Sequence, residues 1–361
     1  MKLLNLSQIQ SLIIIIMTIN INRPTITYEN VCLLKGGETS YLNASNNASS
    51  IKLIPFVQDF SFNFDTKTED ILTLGDTFYS KRVNRYDVDV NLDITILETF
   101  EDIFSGFFSG TALLSDLNKD VSFYSLIGKN KNSDNFSDAD ETINFGNAFI
   151  ENFSMSQSTN QFLSSKYSYS CSNINAQQLV SNDISNPAID LTGTQLQNLT
   201  ATLPDVQSIL NAQSNLQNKI YPAHKTSISI SGIQSEDIFL IKPDLVEDFN
   251  LSIPFDRKKI FKIGKKYPVQ RRFIDTTEGS ISISCITAEF VNNGNDSTLK
   301  TFLNENDSYV IDLNFLSEGS QAQNFQISGA RLKSNSHSVS LSQNLNSTFS
   351  FDFNPVDFKR P

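Results

Sequence analysis

Seven residues of this chain recur in the same order at one fixed distance. Val57, Asp59, Phe60, Ile71, Gly75, Arg82 and Ile94 are matched by Val246, Asp248, Phe249, Ile260, Gly264, Arg271 and Ile283, each 189 positions later (248 − 59). Further along, Leu117-Asn118 ahead of VSFYSLIG matches Leu303-Asn304 ahead of YVIDLNFL at an offset of 186, and FSMS at 153–156 matches HSVS at 337–340 at an offset of 184. An offset that only shrinks is the trace of a tandem duplication whose second copy has lost loop residues. At 361 residues the chain is long enough for two cores. The expected organisation is an N-terminal arm at 1–24, a first module at 25–177, a connector at 178–222 and a second module at 223–361.

Both copies read as all-β. Polar and apolar residues alternate at 59–64 (DFSFNF), 87–96 (DVDVNLDITI), 167–170 (YSYS), 280–284 (SISIS) and 349–353 (FSFDF). A period of two sends the apolar side chains to one face of a strand and the Ser, Asp and Asn to the other. Long antiparallel strands with one wet face build sandwiches or barrels. Helical signal is sparse: short helices are expected at 66–74, at 255–263 and at 205–220. The connector is punctuated by Pro187, Gly193, Pro204 and Pro222. It is too long for a simple link between touching domains, so it is expected to cross a neighbour or carry an interface. Polar stretches at 36–50 and 129–142 read as exposed loops.

The net charge of −11 gives no basic footprint for gripping nucleic acid. Cys32, Cys171 and Cys285 are few, odd in number and far apart, which fits reduced thiols of a cytoplasmically assembled protein better than a disulfide framework. The apolar run at 12–16 behind Lys2 imitates a signal peptide but is too short for a membrane span. Met17 is an alternative translation start.

No catalytic constellation is found. There is no G-x-S-x-G elbow, the two histidines, His224 and His337, stand apart, and no Cys/His cluster has zinc spacing. Asp87, Asp89, Asn91, Asp93, Thr95 and Glu98 match calcium-loop positions, but Leu92 stands where the sharp turn requires Gly, and the same residues alternate as a strand. The expectation is a non-enzyme with no cofactor and no metal. The repeated pair Arg82 and Arg271 is the candidate for an interface contact used by both modules, with Asp59 and Asp248 as candidate carboxylate partners.

Several strings carry a family resemblance. They are 245–257 (LVEDFNLSIPFDR), 263–272 (IGKKYPVQRR) and the strand GSISISCI, with 149–156 (FIENFSMS), 167–174 (YSYSCSNI) and 186–189 (NPAI) in the first half. Together they resemble the tail tube, or major tail, proteins of long-tailed bacteriophages, over roughly 50–175 and 225–355. The resemblance implies a tandem β-sandwich or half-barrel whose long hairpins join those of neighbours into a barrel around a channel. It also implies a homo-oligomer of three chains per ring with pseudo-six-fold symmetry, stacked rings and other tail proteins as partners. DNA would pass along an acidic wall without specific binding. The place of such a protein is the virion tail, assembled in host cytoplasm, with no membrane contact. A baseplate or tail-hub ring protein of the same fold is the alternative, and a glycan-binding adhesin is a third; the absence of Trp disfavours the adhesin.

Overall fold

The computed structural model describes residues 31–36, 52–71, 81–99, 120–128, 139–178, 183–184, 187, 199–200, 219–232, 239–241, 246–263, 268, 270–274, 277–286, 308–320, 322–338 and 346–359. Its regular structure is β apart from two short 3-10 helices, Ala223–Lys225 and Pro355–Asp357. The first half holds β1 (Val31–Lys35), β2 (Lys52–Leu53), β3 (Val57–Ile71), β4 (Lys81–Leu97), β5 (Val121–Gly128), β6 (Ala139–Ser158), β7 (Ser164–Cys171) and β8 (Asn173–Gln178). In the connector, β9 (Asp183–Ile184) pairs with β10 (Leu199–Thr200). The second half holds β11 (Thr226–Gly232), β12 (Phe239–Ile241), β13 (Val246–Pro254), β14 (Arg257–Ile260), β15 (Gln270–Phe273), β16 (Gly279–Ile286), β17 (Tyr309–Leu316), β18 (Ala322–Ser338), β19 (Asn346–Phe353) and β20 (Phe358–Lys359).

Strands are paired in the same order in both halves. The first runs β2-β1-β5-β6-β7-β4-β3 and the second runs β12-β11-β17-β18-β19-β16-β13, with β8 on β6 matched by β20 on β18. Registers repeat as well. Phe60 faces Ile94 as Phe249 faces Ile283, and Asp70 faces Arg82 as Lys259 faces Arg271, so the 189 offset (249 − 60) holds at both ends of the described part of the hairpin. Even the bulges between Val57 and Asp59 and between Val246 and Asp248 coincide. Past the hairpin, the pairing revises the offsets read from the strings. Phe123 faces Phe145 as Ile311 faces Ile327, giving 188 for β5 (311 − 123) and 182 for β6 (327 − 145). The 182 offset continues in Ile150 facing Tyr169 and Leu332 facing Phe351 (351 − 169). Phe153 therefore corresponds to Asn335 rather than to His337; short Ser-rich strings slide by two without losing their alternation.

Each half bends one strand through two sheets. Residues 141–148 of β6 pair with β5 and β8, whereas 149–158 pair with β7 and β13. In the same way 322–330 of β18 pair with β17, and 331–338 with β19. At the bend stand Asn147, φ 49°, and Gly329, φ 76°, again 182 apart (329 − 147). Left-handed backbone inside a strand needs Gly or a short polar residue, and here it re-aims the strand at a bulge. Asn147 is held there by donating from Nδ2 to Asp120 Oδ2 at 2.6 Å, both residues being buried.

The alternating apolar residues form the core. Val90, Leu92, Ile94, Phe153, Met155 and Tyr167 in the first half, and Leu251, Ile253, Ile281, Ile283, Phe349 and Phe351 in the second, belong to one buried cluster. Pair volumes are exchanged between the halves. Gly279 faces Phe353, whose ring occupies the space a Cβ would take at 2.6 Å, while Val90 faces Cys171 at the corresponding pair. All three cysteines are buried and free, and burial pushes each thiol up to about 12.

Two helix expectations are overturned. The segment expected as a helix at 66–74 runs as strand to Ile71, and that at 255–263 contains β14. The charged residues that resembled a helical face instead extend the hairpin as a two-stranded ribbon, which in the second half turns Arg257 and Arg271 onto the first half. The expected loop at 129–142 is likewise strand from Ala139 onward. The calcium-loop residues lie in β4 up to Leu97, followed by Glu98, which is buried and accepts a hydrogen bond from Tyr167 Oη at 2.9 Å. The helix expected at 205–220 lies outside the described residues except for its last two positions, and so do the arm at 1–24, Gly75, Gly264, Leu117 and Leu303.

Candidate assembly interface

The halves are welded edge to edge. The second part of β6 pairs with β13 over seven residue pairs, from Asp248 facing Ser158 to Pro254 facing Asn152. An eight-stranded antiparallel sheet results, in the order β3-β4-β7-β6-β13-β16-β19-β18. At the joint, Leu251 faces Met155 and Ile253 faces Phe153, and all four are 0 % exposed. Full burial of each such side chain stabilises by about 1.5–3 kcal/mol. The end of the connector is fastened beside the joint: Leu163 N donates to Tyr221 O at 2.9 Å, and Gln157 Nε2 to the same carbonyl at 3.0 Å.

Above the joint, the ribbon formed by β14 and β15 inserts two arginines into the first half. Arg271 is 6 % exposed. Its Nη1 donates to Ser170 Oγ at 2.8 Å, its Nη2 to Ser172 Oγ at 2.7 Å, and its guanidinium lies 4.9 Å from the centre of the Phe149 ring. Arg257 donates from Nε to Ile150 O at 3.1 Å and lies 5.4 Å from the same ring. Burial, and after it the neighbouring Arg271, push the Arg257 guanidinium down to about 10, which leaves it charged at neutral pH. Two serine hydroxyls and an aromatic face thus hold Arg271 out of water, while half-buried Arg257 has a carbonyl, the same ring and the charge of nearby Glu151.

Of the residues singled out from sequence, Arg271 lies between the halves, and its hydrogen bonds go to serines of the first half rather than to Asp248. Asp248 is half-buried on β13 between Ser158 and Ser284, and Asp59 is exposed on β3 facing Thr95. Arg82 is placed by its backbone, facing Asp70 in the hairpin of the first half. Sequence reasoning does not pick out Arg257, Phe149, Ser170 or Ser172. Arg257 corresponds to Thr68 and so leaves no repeat signal, and the serines are camouflaged by the many other serines of alternating strands.

The same sheet ends on two open edges. Among the described residues β3 pairs only with β4, and the 331–338 part of β18 pairs only with β19. On β3, Phe62 is 38 % and Phe64 56 % exposed, although their counterparts Leu251 and Ile253 are fully buried under β6. Unpaired edges of this length are templates for another strand.

One face of the sheet is wet along its whole width. Rows such as Asn152, Ser154 and Ser156 on β6, Asn250 and Ser252 on β13, Ser280, Ser282 and Ser284 on β16, and Thr348 and Ser350 on β19 run side by side. Two acids of this face are neutralised, Asp93 by Lys166 and Asp352 by Lys333, each at 2.9 Å. Among the described side chains the face is chiefly hydroxyl and amide, with Asp59, Asp65 and Asp248 as further acids.

No family model matches the chain, and no curated protein matches it. Among solved structures, a chain of the 6-fold-symmetrised cryo-EM structure of the anti-feeding prophage (AFP) baseplate is similar to 36 % of this chain and 88 % of its own length, at 11 % identity and a TM-score of 0.27. A likeness of that size carries no argument about fold or activity. Among the described residues no helix is long and apolar enough to cross a membrane.

Proposed function

We propose that this chain is a structural subunit of a phage-type tail tube, descended from a tandem duplication, which works by assembly and without turnover chemistry. The observation that carries the reading is the eight-stranded sheet whose internal joint has the same two edge types as its open ends. A β18 edge is the counterpart of the β6 edge, and a β3 edge is the counterpart of the β13 edge. Copies that repeat the internal joint head to tail extend the sheet, and a rotation that closes makes a ring.

Size and polarity favour a ring of several chains. Eight strands closing on themselves leave an interior that side chains must fill, and a Ser and Asn face does not supply an apolar core. Three copies contribute 3 × 8 strands. At a spacing of ~4.8 Å and a tilt near ~40°, that barrel has a backbone diameter of about 48 Å, wide enough for a DNA duplex. Hydroxyl and amide groups, with a net negative chain, offer a polyanion no counterion-releasing grip. The rings stack, meet other tail proteins at their ends, belong to the virion tail and form in host cytoplasm.

Electron microscopy of the purified chain is the direct test. Hollow tubes with a barrel near ~48 Å support the proposal. Single rings that never stack favour the baseplate or hub alternative of the same fold. A protein that stays monomeric at high concentration and binds oligosaccharide overturns both.

A further inference from the structure

The Arg271 socket has an empty twin. Carrying the 182 offset from the first half to the second turns Phe149, Ile150, Ser170 and Ser172 into Arg331, Leu332, Asp352 and Asn354. Those four residues line a cavity of about 560 Å³ beneath the bend at Gly329, together with Glu278 and Asp357. In the first half the corresponding space is filled by Arg271 and Arg257 from the ribbon of the second half. Among the described residues no segment of the same chain plays that part for the second half, because its neighbouring edge is the open one.

We infer that the occupant is Arg82 of a second copy of this chain, the residue that the 189 offset equates with Arg271. The inference rests on the tube-subunit reading and assigns its ring contact to named residues. Docking the β3 edge of one copy on β18 of the next, in the register of the internal joint, sets Ser61 opposite Ser338, Asn63 opposite Ser336 and Asp65 opposite Ser334. Phe62 and Phe64 then take the buried places of Leu251 and Ile253. The backbone position of Arg82 then falls beside the cavity, as that of Arg271 falls beside Ser170.

The charges of the twin suit that guest. Serine hydroxyls are replaced by the carboxylate of Asp352 and the amide of Asn354, both stronger acceptors for a guanidinium. Asp352 already binds Lys333 through Oδ2, and a carboxylate has lone pairs for a second donor. Glu278, Asp352 and Asp357 outnumber Arg331 and Lys333, so the lining carries one negative charge in excess. Arg331 stands where Phe149 supports Arg271, which makes carboxylates rather than an aromatic ring the holders of Arg82. An internal joint tolerates neutral acceptors because the covalent chain holds it together; a joint between separate molecules gains specificity and encounter rate from opposite charge.

The experiment uses the full chain. Asn63→Cys with Ser336→Cys is expected to give reducible, chain-to-chain disulfides in the assembled protein, whereas Asn63→Cys with Ser334→Cys, out of register, is not. Arg82→Glu and Asp352→Lys are each expected to raise the concentration needed for assembly by about tenfold or more, measured by sedimentation, and the double variant is expected to restore assembly. Tubes that form while only the out-of-register pair crosslinks, or an Arg82→Glu chain that assembles like wild type, overturn this contact and leave the tube reading standing. A wild-type chain that forms neither rings nor tubes overturns both.

Discussion

The covered edge of β13 and the open edge of β3 hold corresponding residues in two different surroundings. On the internal joint, Leu251 and Ile253 are sealed beneath β6, and Arg271 fills its socket. At the outer edge the same positions hold Phe62 and Phe64, both exposed, and the matching socket is an open cavity whose lining of three carboxylates and two cations is negative by one charge. One strand arrangement therefore occurs twice, once covered and once open. The apolar residues at the open edge are larger than those of the closed one, so more surface is left to bury when the edge is covered.

Single substitutions separate the two joints, and the largest effect is expected for a charge in the closed one. Leu251→Asp places a carboxylate in a fully buried position and is expected to destabilise the chain by about 4 kcal/mol or more, read in a denaturant titration. Phe62→Asp at the counterpart, which gives up ring contacts with Phe60 and Phe145, is expected to cost clearly less than Leu251→Asp in that titration and to abolish assembly in sedimentation. Equal loss of stability from both substitutions breaks the comparison.

Next in size is the bend. Gly329→Val forces a β-branched residue to φ 76° and is expected to cost about 1–3 kcal/mol. Asn147→Gly at the counterpart trades a buried hydrogen bond for an easier backbone and is expected to change stability by ~1 kcal/mol or less. Thermal unfolding of the pair reads the difference.

Smaller still is the Arg271 socket itself. Arg271→Ala leaves two serine hydroxyls and a buried ring without their guest and is expected to cost about 2 kcal/mol in a denaturant titration. A comparable or slightly lower cost is expected at Tyr167, whose hydroxyl donates to buried Glu98 and whose counterpart is Phe349. Tyr167→Phe copies the second half but removes one partner of the carboxylate, at a cost of about 1–2 kcal/mol by the same titration. The smallest effect is at Arg257. Arg257→Met removes a half-buried cation beside buried Arg271, keeps the packing, and is expected to titrate within ~1 kcal/mol of wild type.

Much of this architecture is legible in the order of residues alone. The strands at 59–64, 87–96, 280–284 and 349–353 are readable because a half-buried strand must alternate, and the hairpin equivalence is readable because its residues keep one offset through strand, ribbon and strand. The ribbon itself reads falsely as helix, since a short charged stretch that buries polar side chains rather than apolar ones carries no reliable period. The site is half legible. Repetition singles out Arg271, yet opposite charge points to acids as its partners, whereas the buried guanidinium is held by hydroxyls and a ring.

The sequence by itself determined that there are two alike sets of strands, each with one dry and one wet face, because side-chain period and long-range repetition are both written along the chain. Only the tertiary structure decided which strand edges meet, where β6 and β18 bend, and that the equivalence of the later strands is 182 and not 184. Those choices depend on backbone hydrogen bonds, which are the same for every residue and so leave no mark in the order of side chains.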